Sequence, residues 1–168
     1  MKVFRIIFVG LLALVAMAYV GFRIWEVSWY RGIIPAAIEI DGTVLIDGQS
    51  GFREGCGVAI FKLTDPALAR IRSSGLAAVA AAHEPRDHPE VHHSIFGEWR
   101  ETPYATTGDG LTLADRWLNG LSCASMDQNL SQGIDRALNT RGSFYSTSQE
   151  SGLIVIPALG LVVLSYEG

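Results

Sequence analysis

Residues 6–22 form an uninterrupted apolar run of 17 residues, with Lys2 and Arg5 ahead of it and Arg23, Glu26 and Arg31 behind it. As a helix it would extend about 25 Å, and continuation through Trp25 would bring it to about 30 Å, the thickness of a hydrocarbon core. The pattern predicts a transmembrane helix that contacts the bilayer through residues 6–25. The positive start also fits a secretory signal, with Ala16-Met17-Ala18 as a small-x-small cleavage site. Apolarity that persists through Tyr19, Val20 and Phe22 favours a retained anchor over cleavage after Ala18. Trp25, Trp29 and Tyr30 suit a membrane–water interface, the alternative being that they begin the folded core. Residues 1–32 are therefore read as a signal anchor with its membrane-proximal segment, and 33–168 as one extracytoplasmic domain.

Within that domain the period changes repeatedly. Segments 36–40 and 43–47 flank Asp41-Gly42, a dipeptide suited to a tight hairpin turn. Residues 48–57 are glycine-rich and read as a loop, and 58–63 as a half-buried strand. Thr64-Asp65-Pro66 then supplies a helix cap and a first-turn proline, and Gly75 a stop, which predicts a helix over 66–74. Residues 76–82 follow a glycine stop and are read as a strand crossing the core. Capping boxes at Thr112–Asp115 and Ser125–Gln128 open two further helices. Residues 143–146, 152–156 and 161–166 read as strands, with a turn at 157–160. The fold class is α+β: one small domain with an antiparallel sheet of five or six strands and about three helices on one face.

Charge narrows the range of ligands. From Ile33 onward nine Lys and Arg stand against sixteen Asp and Glu, a formal charge of −7. Such a balance argues against nucleic acid and against anionic lipid head groups as ligands for the domain. The basic residues are almost all arginine, and alanine and glycine are abundant, as in proteins of GC-rich bacterial genomes. The expected location is a bacterial inner membrane with the C-terminal domain in the periplasm, where disulfides persist. Cys56 and Cys123, the two cysteines of the chain, are expected to pair.

All four histidines, His83, His88, His92 and His93, fall within eleven residues among carboxylates, in a polar connection of nearly 30 residues. Histidine with carboxylate can ligate zinc or copper, and His88 and His92 are four apart. Pro89 interrupts that spacing, however, and no HExxH or cysteine-pair signature accompanies it. Catalytic patterns are weaker still. Ser122 lies outside a Gly-x-Ser-x-Gly elbow, and a bridged Cys123 cannot act as a nucleophile. Glu98 and Glu101 have no defined separation, and the glycines at 48, 51, 55 and 57 match no phosphate-binding pattern. Trp99 and Tyr104, in a polar stretch, are candidate anchors for a protein partner. The expectation is a non-enzymatic accessory or interaction subunit of an envelope assembly, without cofactor. The alternatives are an exported metal-binding protein using residues 83–93 and, third, an envelope hydrolase.

Overall fold

The computed structural model describes residues 2–50, 55–87, 95–104 and 117–168. Helix α1, Lys2–Ile33, is one continuous element of 32 residues, and its part from Phe4 to Ile33 is long and apolar enough to cross a membrane. It continues well beyond the apolar run because nothing breaks it before Gly32 and Pro35. Arg23 and Glu26 form an ion pair one turn apart on its surface. Past that pair the helix becomes part of the domain: Val27, Tyr30 and Ile33 pack against the core, and Ile34 is fully buried. Pro35 then prevents residue 34 from continuing the helix.

The domain is built on one antiparallel sheet: β1 Ile40–Ser50, β2 Gly55–Leu63, β3 Arg100–Glu101, β4 Phe144–Thr147, β5 Ser151–Ile156 and β6 Leu161–Glu167, in the order β1-β2-β6-β5-β4-β3. With α2 Asp65–Ser74, α3 Trp117–Cys123 and α4 Gln128–Asn139, the α+β class is as expected. The β4–β5 pair and the β5–β6 pair across 157–160 also lie where the alternation of strand and turn put them. Helix α2 forms as its punctuation dictates. The Thr64 hydroxyl accepts from the Ala67 N–H, and Gly75, at φ 56°, closes the helix by donating to the Ile71 carbonyl. That φ is the left-handed conformation that favours glycine.

Three local expectations are corrected. Asp41-Gly42 is not a hairpin turn but lies inside β1, whose pairing with β2 shifts between Ile40 and Thr43 and again between Thr43 and Leu45. Both flanking segments pair with the same strand, so the extra residues bulge out of the edge strand and twist it. The glycine-rich stretch 48–57 is mostly paired strand on either side of residues 51–54, which lie outside the described residues. Gly48 faces Gly57, and a Cβ on Gly48 would sit 2.4 Å from the Cys56 carbonyl oxygen. Glycine serves close approach there, not loop flexibility. Residues 76–82, expected as a strand, form a 3-10 turn, Gly75–Ala78, and further turns. Val79 and Ala82 are buried while Leu76, Ala77, Ala80 and Ala81 are exposed, a spacing of three that is helical and not alternating.

Both faces of the sheet are covered, which corrects the expectation of helices on one side. Ala59, Phe61, Val155 and Leu164 face the core shared with α2 and the end of α1. Val58, Ile60, Ile154 and Val163 face a second core with Trp117, Ile134 and Leu138 of α3 and α4. All six residues of β5 are buried, as the unbroken apolar text of a doubly covered strand requires. The cap of α4 is also displaced by two residues. The Asp127 carboxylate accepts from the Asn129 N–H, whereas the Ser125 N–H is bound by the Asp47 carboxylate at 2.7 Å. Helix α4 ends at Asn139, with Thr140 at the cap and Gly142 at φ 103° two residues beyond. The Thr112–Asp115 box lies outside the described residues.

Candidate functional site

Cys56 and Cys123 are bonded, with an S–S distance of 2.01 Å and Cα atoms 5.9 Å apart. The bridge joins β2 to the last residue of α3, and the same helix contacts the sheet through Gly120. A Cβ there would lie 2.4 Å from Ser165 Oγ and 2.6 Å from the Gly57 carbonyl oxygen, so α3 rests directly on the backbone of β2 and β6. The disulfide leaves Cys123 without the thiolate that a nucleophilic role requires.

Of the four histidines, His88, His92 and His93 lie outside the described residues. His83 is half-buried, and its Nδ1 is 3.0 Å from the carbonyl oxygens of both Phe96 and Gly97. Two acceptors at that distance require the proton on Nδ1, which leaves Nε2 as the nitrogen with a free lone pair. Among the described residues no three His, Cys, Asp or Glu side chains are grouped closely enough to hold a metal ion.

Of the two aromatic candidates for a partner contact, Trp99 is buried and Tyr104 half-buried. Trp99 is only 4% exposed, and its indole N–H donates to the Ala82 carbonyl at 2.8 Å. Tyr104 packs edge-on against Trp117 and Tyr145, with centroids 5.3 and 4.9 Å away. Trp99 joins the core and Tyr104 packs against it, because the polar text around them is interrupted by Phe96, which is also buried, and because β3 extends the sheet at Arg100. What remains accessible is the margin of Trp99 in a groove of about 520 Å³ with Leu76, Ala80, His83, Gly97 and Glu98. Leu76 and the nearby Ile95 are exposed large apolar side chains. A second groove of about 250 Å³ lies between α3 and α4, lined by Leu118, Leu121, Met126, Ile134 and Leu138 with Asp135.

The most elaborate arrangement is the junction of α1 with the domain. Tyr30 stacks on Tyr166 with centroids 5.5 Å apart, and their hydroxyls are 2.6 Å from each other. Gly32 O accepts from the Asp87 N–H at 3.1 Å, and Pro35 bridges to Pro85. Arg31 donates to the Ile40 carbonyl at 3.3 Å, and Arg86 to the Ile38 carbonyl at 3.0 Å. Immediately before these contacts, Phe22, Trp25 and Trp29 form a ladder along α1 with successive centroids 5.9 Å apart. The aromatic ladder and the first domain contacts thus occupy neighbouring turns of one helix. Tyr30 and Tyr166 are 136 residues apart, and no local pattern in the chain could have paired them.

Comparison of the chain with protein families, with characterised proteins and with solved structures finds no match.

Proposed function

We propose that this chain is a single-pass inner-membrane protein of a bacterial envelope, whose periplasmic domain is a non-enzymatic accessory or interaction subunit. The observation that carries this reading is the continuity of α1 from its exposed apolar part into the domain core through Val27, Tyr30 and Ile33. A helix with no flexible break transmits position: the domain is held at a fixed height and rotation above the bilayer. That geometry suits a scaffold or coupling subunit better than a tethered enzyme, which gains from reach. Support for the compartment comes from the Cys56–Cys123 bridge, since such bonds persist in oxidising surroundings. Support for partner binding comes from the groove beside His83, where apolar side chains meet the exposed carboxylate of Glu98.

Native electrophoresis of the full chain, released from its own membranes in mild detergent, tests this reading. The chain is expected to migrate within a complex much larger than its 18.2 kDa in a micelle. Ala80→Arg, which places charge in the groove at an exposed position, is expected to release it without changing its melting temperature. A wild-type chain that migrates alone would contradict the proposal, and so would an Ala80→Arg chain that stays in the complex.

A further inference from the structure

Pro35 to Ile38 form a turn, closed by the Ile38 N–H on the Pro35 carbonyl at 2.9 Å, and β1 begins two residues later at Ile40. Glu39 O accepts from the Thr64 N–H on the α2 side at 3.1 Å. The carbonyls of Ile38 and Ile40, on either side of Glu39, are each taken by an arginine. The two guanidinium groups thus bind carbonyls two residues apart, and Arg31 lies close enough to Arg86 for their charges to repel. Each spends one N–H on a carbonyl and retains further donors. Among the described residues neither is in ion-pair contact with a carboxylate, although the domain carries a formal charge of −7. Asp87 acts on Arg86 through its charge but without an ion-pair contact, and the two cations together keep net positive charge and free donors for an anion.

The position of the pair selects the anion. Arg31 follows Trp29 by two residues, about 3 Å along the helix axis. The stretch from residue 4 to residue 25 already spans about 33 Å, so residues 25–31 occupy the head-group layer, about 5–8 Å deep on each side of the hydrocarbon core. Resting on the membrane-anchored reading above, we propose that Arg31 and Arg86 clamp the phosphodiester of an anionic phospholipid at the foot of the domain. Burial, and after it the charge of Arg31, lowers the pKa of Arg86 from its ordinary value, with Asp87 opposing. A neighbouring anion would relieve that repulsion between the two arginines. The overall negative charge of the domain does not prevent this, because charges more than about 8 Å away are largely screened at physiological ionic strength. It does confine the contact to the site where the two arginines meet.

Native mass spectrometry of the full chain through stepwise delipidation, after reconstitution with phosphatidylglycerol or phosphatidylcholine, tests the clamp. Wild type is expected to retain one phosphatidylglycerol and to lose phosphatidylcholine early, and millimolar inorganic phosphate should not displace the lipid. Arg31→Gln and Arg86→Gln should each weaken retention about fivefold. Equal retention of the two lipids, displacement by inorganic phosphate, or unchanged retention in both variants would overturn the proposal. Melting of the wild type in vesicles of each lipid gives a readout that needs no variant: a higher midpoint in phosphatidylglycerol is expected, and equal midpoints contradict the clamp. Alkaline extraction of the same membranes separates the two levels of inference. An integral chain without lipid preference refutes the clamp alone, whereas a chain released as soluble protein refutes the anchor as well.

Discussion

Replacing Cys56 and Cys123 together with serine is expected to destabilise the domain by about 4 kcal/mol, the chain-entropy value for a loop of this size. For a domain of this length that corresponds to a fall in melting temperature of about 10–15 °C. The bridge closes a sequence separation of 67 residues and ties β2 to the end of α3. Other contacts also hold this helix: Gly120 rests on the backbone of β2 and β6, and the Ser125 N–H just past its end donates to Asp47 of β1. Ser165 Oγ donates to the Trp117 carbonyl at its start, and Asn119 donates to Glu167 at 2.7 Å in its middle. Without the bond, the end of α3 next to the groove under α4 loses its one covalent tie to the sheet and keeps only non-covalent contacts. Thermal unfolding of wild type with and without reductant, beside the double variant, measures the effect. Identical midpoints under all three conditions would mean that the bond contributes nothing.

A comparable loss is expected from one added methyl group. Trp117 lies flat against Gly152 of β5, and a Cβ there would fall 2.2 Å from the Trp117 Cδ2 atom. Gly152→Ala must therefore displace an indole that is only 2% exposed, at a cost of about 3 kcal/mol, the upper end of overpacking effects. The Trp117 N–H is buried without a hydrogen-bond partner among the described residues, so the indole stabilises by packing alone. Trp117→Leu should accordingly relieve Gly152→Ala, and the double variant should be more stable than the sum of the two single changes predicts. Strict additivity in denaturant unfolding would show that the two residues do not share this contact.

The elements legible in the sequence were those with local causes. Thr64, Pro66 and Gly75 bracket α2, and Pro157 and Gly160 divide β5 from β6, because caps and turns are decided by neighbours along the chain. What misled were residues whose role depends on a distant strand. Asp41-Gly42 has the chemistry of a turn, but β2 offered partners to both sides of it, and pairing along the whole edge outweighed a tight reversal. Gly48 and Gly57 look like loop glycines until they are seen facing each other. Trp99 and Tyr104 stand in polar text, yet each finds its apolar neighbours far along the chain, at Ala82 and at Trp117 and Tyr145. The candidate site was less legible still. The cysteine pair could be inferred from count and compartment, whereas Tyr30 with Tyr166, and Arg31 beside Arg86, meet only because α1 enters the core.

Anchoring at the membrane with the domain outside the cytoplasm is tested most directly by a reporter active only in the periplasm, fused through a linker after Gly168 of the full chain and assayed in fractionated cells. The expected result is activity in the membrane fraction, on a product that keeps its N-terminal helix. Activity confined to the cytoplasm, or a soluble product that begins at Tyr19, would contradict it.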